Sequence, residues 1–216
     1  MRFNHCLVNG KVEGSKVGCA FAIDFKKKDG DSFMSDDVFG HLCTNYGSKW
    51  QLDGRQFAGG TQRLDCGTSP VLHQDFLTCE ILAKNDLPGQ TYKGLLTKAF
   101  TSAASPYHEY GLQQESQLMA FFVTTGGVRA GASDTINFPV EETHFSGTYD
   151  GSWIRIFRNG NGIAKTAKSG AVNDYGRPVL IGKYEHETAS NSTIRRAQIY
   201  NLADYTPRIL SRSIGG

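Results

Sequence analysis

Residues 147–160 read GTYDGSWIRIFRNG, and in them two turn signals bracket a short alternating strand. Asp150-Gly151 and Asn159-Gly160 are dipeptides suited to the tight turns of antiparallel hairpins. Between them run Trp153, Ile154, Arg155, Ile156 and Phe157. Because successive strand side chains point to opposite faces, Ile154 and Ile156 share one side while Trp153, Arg155 and Phe157 share the other. The first side is aliphatic enough for a core. The second carries two aromatic rings and a guanidinium.

The same grammar extends outward. Strand-like runs at 20–25, 62–66, 76–83, 94–100, 117–124, 135–139, 143–149, 153–158, 178–183 and 192–200 are separated by turn signals. LTCEILAK (77–84) alternates, as a strand covered on one face does, whereas LMAFFVTT (118–125) is apolar on both sides and reads as central. Helical periodicity is nearly absent. About ten to fourteen short strands joined by turns predict an all-β, two-sheet antiparallel jelly-roll sandwich. Ile81, Phe122, Ile154, Ile156 and Leu180 are expected in its core.

Composition narrows the class. A chain of 216 residues is within reach of a single sandwich, and 25 glycines against 6 prolines fit many tight turns. The formal charge of +2 is too small to imply a nucleic-acid partner, and Lys26-Lys27-Lys28 beside Asp29-Gly30-Asp31 reads as a solvated loop. No run approaches the about 18 apolar residues of a membrane span, and the N-terminus has no apolar leader core. Cys6, Cys19, Cys43, Cys66 and Cys79 are odd in number and form no CxxC pair, so free, mostly buried thiols and assembly in a reducing cytoplasm are expected. A zinc site on His41 and Cys43 would need a third ligand that the spacing does not supply.

From FAIDF through FGHLCTNYG, DFLTCEILAK, GTYDGSWIRIFRNG and PVLIGKY to STIRRAQIYN, the chain resembles the laminin-G-like domains of the concanavalin A-like lectin and glucanase superfamily. The likeness covers roughly residues 20–210, preceded by an N-terminal extension or docking hairpin (1–19) and followed by a tail (211–216). It implies a jelly roll often used for carbohydrate, of a kind also found in phage and viral structural proteins, where FMSDDVFGH (33–41) has a similar counterpart. The family's closing strand carries acidic residues that help bind calcium. Arg195 and Arg196 stand at those positions here, so calcium is disfavoured by charge, leaving Asp36 and Asp37 as weak candidates and no cofactor expected.

Enzyme chemistry is poorly supplied. The paired carboxylates of the superfamily's glucanases, in an ExDxxE pattern, are missing, although carboxylates from separate loops remain an alternative. A polysaccharide lyase needs a Tyr or His base with an Arg or Gln facing the uronate, and His144, Tyr149, Tyr184 and His186 qualify by residue type alone. Recognition is better supplied: Trp153, Arg155 and Phe157 form a row of ring faces and a planar donor suited to a sugar. The alternative is that Phe157 packs under a loop and Trp153 shields the turn. The expectation is therefore a non-catalytic structural or binding module, virion-associated in a phage and made in the host cytoplasm. Its partners would be viral structural proteins or surface polysaccharide, with no nucleic acid or membrane, and homo-oligomers are a further expectation. The other readings are a lyase and a free lectin-like cytoplasmic protein.

Overall fold

The computed structural model describes residues 18–99, 105, 107–184 and 187–202. Residues 1–17 of the expected N-terminal extension or docking hairpin (1–19), and the tail at 211–216, lie outside those residues. Among the described residues sixteen strands run in chain order: β1 (Cys19–Asp24), β2 (Ser32–Met34), β3 (Leu42–Tyr46), β4 (Lys49–Gln51), β5 (Gly54–Ala58), β6 (Arg63–Asp65), β7 (Leu77–Asn85) and β8 (Lys93–Ala99). The second half holds β9 (His108–Glu115), β10 (Leu118–Thr125), β11 (Val128–Asn137), β12 (Thr143–Tyr149), β13 (Trp153–Arg158), β14 (Asn161–Ala167), β15 (Val179–Ile181) and β16 (Asn191–Tyr200). Two single-turn 3-10 segments, Phe25–Lys27 and Pro70–Leu72, are the helical elements among the described residues.

All strand pairings are antiparallel, in two sheets. The first has the order β14-β13-β12-β7-β16-β5-β4, with β1 also on β16; the second has the order β11-β10-β9-β8-β15-β6-β3-β2. The jelly-roll expectation of an all-β sandwich is met. In the 147–160 hairpin, Tyr149 pairs with Ile154 and Arg158 with Asn161, and Asn159 and Gly160 take φ of 50° and 80°, as a two-residue turn of that hand requires. Asp150-Gly151 closes a wider turn, in which the Asp150 carboxylate accepts the Ser152 and Trp153 amides.

Between the sheets lies an apolar layer that includes Phe21, Phe57, Leu77, Ile81, Tyr110, Phe121, Phe145, Ile154, Ile156 and Ile181. It is packed closely enough that Gly147 of β12 has no room for a side chain. A Cβ there would meet Phe121 Cγ of the opposite sheet at 2.0 Å. Phe122 and Leu180 are buried, as expected, but they alternate out of this layer: on β10 it is Phe121 and Val123 that enter it, and on β15 Val179 and Ile181. Cys43, Cys66 and Cys79 are free and buried, with the Sγ atoms of Cys43 in β3 and Cys66 just past β6 2.9 Å apart. Burial pushes the Cys66 and Cys79 thiols upward, which suits packing and not nucleophilic work. Cys19 is disulfide-bonded, a crosslink that the odd count and the spacings did not announce.

Candidate functional site

The outward row of β13 is only partly an open surface. Trp153 is 36% exposed and stacks beneath the Lys165 ammonium, 4.8 Å from its ring centroid. Arg155 is held by Asp150 at 2.8 Å. Phe157 is 7% exposed, because the register of β13 and β14 shifts between Ile156 and Phe157 and lays the ring against Gly162. A ring so covered offers little face to a sugar, leaving Trp153 as the row's exposed aromatic.

Most of the other sequence candidates hold local partners, His144 excepted, whose two ring nitrogens have no hydrogen-bond partner. Asp37 accepts the Ala22, Phe39 and Gly40 amides, while Asp36 accepts the Asp24 amide and pairs with Lys28. These carboxylates tie a loop to β1 through hydrogen bonds. Arg195 pairs with Glu142, and Arg196 lies 3.7 Å from Asp24. His41 Nε2 meets the Ala20 carbonyl at 3.0 Å and Cys43 faces Cys66. His144 is buried 3.6 Å from Glu80, and the Tyr149 hydroxyl donates to the Gly170 carbonyl. His186 lies outside the described residues. Tyr184 has different company.

On the outward face of the second sheet, β8, β9, β10 and β11 build a cleft of about 370 Å³ lined by Tyr92, Tyr107, His108, Gln113, Glu115, Arg129, Tyr184 and Glu187. Two glycines shape it. Gly131 of β11 leaves space that the Phe122 ring fills, since a Cβ would sit 2.2 Å from Phe122 Cδ1. Gly94 lets β8 approach the Lys183–Tyr184 backbone so closely that a Cβ would lie 2.6 Å from Tyr184 N, drawing Tyr92 and Tyr184 to one rim.

Arg129 organises the interior. Its guanidinium lies 3.4 Å from the Phe122 ring centroid, its terminal nitrogens reach the Glu115 carboxylate at 2.9 and 3.4 Å, and its Nε donates to His108 Nε2 at 2.9 Å. Accepting through Nε2 fixes the histidine tautomer, so Nδ1 carries the proton. That Nδ1 is buried without a partner, as is Gln113 Oε1. Both side chains are almost fully buried, where an unmet polar group costs about 1–3 kcal/mol. Burial, reinforced by the Arg129 charge, drives His108 down to about 3, so the ring is neutral. Burial, with Glu187 adding to it, raises the Tyr184 phenol to about 12.

The rim is strained as well. Tyr92 and Tyr107 hold φ of 56° and 67°, the left-handed region that bulky residues avoid. Both are more than a third exposed. Such strain collects where a side chain must be presented in a fixed direction.

A second polar cluster has another purpose. His73, Glu109 and Asp174 bring three ligand atoms together, but Lys98 Nζ bonds the Glu109 carboxylate and lies 3.4 Å from Asp174 Oδ1. The ammonium stands where a metal ion would have to sit. Glu109 also accepts the Tyr175 and Arg177 amides, so the cluster braces the chain before β15.

No protein-family model and no curated protein matches the chain. Solved structures match it in fold. A Trypanosoma rangeli sialidase in complex with sialic acid aligns over 85% of this chain and 31% of its own, with a TM-score of 0.65 and 12% identity. The binding domain of Paraclostridial Mosquitocidal Protein 1 aligns over 87% and 49%, with a TM-score of 0.65 and 12% identity. For the receptor binding domain of botulinum neurotoxin D the shares are 87% and 50%, the TM-score 0.65 and the identity 6%. The chain spans between 31% and 50% of these neighbours' lengths, and identities this low carry the architecture alone. What this chain shares with them is a β-sandwich.

Proposed function

We propose that this chain is a concanavalin A-like, laminin-G-like module that binds saccharide without turning it over, and that the cleft around Arg129 is the contact site. The observation that carries the reading is a cleft lined by three tyrosines, two of them more than a third exposed, around the planar Arg129 guanidinium. Sugars present C–H faces that stack on rings and hydroxyls that bond planar polar groups, so the exposed phenol rings with their hydroxyls match one ligand class. The two toxin neighbours are by their names binding domains, which agrees with a binding use of the sandwich.

A lyase is the second reading, favoured because His108, Gln113, Arg129 and Tyr184 are the residue types that such a reaction needs, gathered in one place. Its weakness is the proton chemistry. A general base works best with a pKa near the working pH, whereas His108 near 3 is a feeble base and Tyr184 near 12 stays protonated. The virion role implied by the laminin-G-like resemblance rests on that resemblance alone, and copurification with particles tests it.

A glycan array with the purified chain tests the central reading. Tyr107→Ala is expected to abolish the signal and Trp153→Ala to leave it intact. Loss through Trp153 with retention through Tyr107 would move the site to β13, and unsaturated product absorbing in the near ultraviolet would establish the lyase.

A further inference from the structure

We infer, building on the saccharide-binding reading of the cleft, that its ligand is an uncharged sugar and that uronates and sialic acids are excluded. The charges that line the cleft among the described residues are Arg129, Glu115 and Glu187, one cation against two carboxylates. His108 adds no positive charge, being neutral above about pH 3. A carboxylated sugar would therefore enter a site of net negative sign.

The one cation is also committed. Carboxylates are best recognised by the two parallel N–H groups on an edge of a guanidinium. Glu115 already spans the edge formed by Arg129 Nη1 and Nη2. His108 Nε2 takes Nε on the other edge, and Phe122 covers a face. A ligand carboxylate could reach Arg129 only by displacing Glu115, which would leave that side chain, about a quarter exposed, beside the incoming like charge. What the cleft leaves open is neutral: the exposed rings and hydroxyls of Tyr92 and Tyr107. The C–H faces and hydroxyls of a neutral sugar meet these without bringing charge.

The test uses matched oligosaccharides that differ only in oxidation or capping: mannan against mannuronan fragments, galactan against galacturonan fragments, and lactose against sialyllactose. Titration calorimetry of the full chain is expected to show binding to at least one neutral member and at least tenfold weaker binding to its acidic partner. Glu115→Gln frees an edge of Arg129 and removes a negative charge, so it is expected to narrow that ratio severalfold, with the gain falling as salt rises. Preferential binding of the acidic members, weakened by Tyr107→Ala, would overturn the inference while leaving the cleft as a saccharide site. No binding by either class, or binding indifferent to Tyr107→Ala, would overturn the cleft reading and this inference with it.

Discussion

Tyr92 provides a prediction in which stability and affinity move in opposite directions. Its φ of 56° places a bulky residue in left-handed backbone, at a cost of about 1–2 kcal/mol, and its ring is 45% exposed. Tyr92→Ala keeps the backbone strain and removes the ring. Tyr92→Gly removes both, offset by about 0.5–1 kcal/mol for the freer unfolded chain. The glycine variant should therefore be the more stable of the two by about 0.5–1 kcal/mol, the reverse of the order found at ordinary positions. For a domain of this size that difference is about 1–4 °C in melting temperature. Since both variants lose the same ring, the comparison isolates the backbone term from side-chain packing. Both should bind a neutral oligosaccharide about 5- to 30-fold more weakly, as expected for an aromatic contact contributing about 1–2 kcal/mol. Differential scanning calorimetry beside titration calorimetry reads the two quantities. An alanine variant as stable as the glycine variant would refute the strain argument, and unchanged affinity in both would refute the role of the rim.

Three further outcomes test the frame around the cleft. His108 is held neutral well below its unfolded value of 6.5, so its contribution is complete above that value and lost as pH falls towards about 3, at up to about 1.4 kcal/mol per pH unit. Melts between pH 7.5 and 4.5 should show a steeper loss for the native chain than for His108→Gln, and parallel curves would contradict the buried neutral ring. Lys98→Met leaves the buried Glu109 without its cation and should cost about 3–5 kcal/mol, with Lys98→Met/Glu109→Gln recovering part of it; a double variant no better than the single would deny the pairing. Gly147→Ala should destabilise by at least about 1–3 kcal/mol, because its Cβ would overlap Phe121, and a melting temperature equal to that of the native chain would refute the sheet-to-sheet contact.

The sequence made the architecture legible wherever a strand alternates or is doubly apolar between sharp turns. Strands β12 and β13 were read to the residue, and β7, β10 and β16 to within one or two at most ends. It made the cleft much less legible, for reasons visible in the strands that build it. Strand β9, HEYGLQQE, is polar at most positions and carries Gly111 in its middle, so neither alternation nor β-propensity marks it, yet it supplies His108, Gln113 and Glu115. Strand β11 opens with VRAGAS, whose small residues read as turn, and it supplies Arg129. Glycines that weaken a strand in sequence terms are here the residues that let Phe122 and the Tyr184 backbone close in. Tyr184 could be picked out by residue type, but its partners lie 55 to 92 positions upstream, and only the pairing of β15 with β8 brings them beside it. The hairpin row, by contrast, was conspicuous because local alternation announced it, and the register shift that buries Phe157 depends on where β14 pairs. Local pattern thus finds the strands that hold the sandwich together, where each side chain answers to its own sheet face. The outer-face cleft is built by polar, glycine-broken strands instead, whose side chains answer to partners distant in sequence and so leave no local alternation to read.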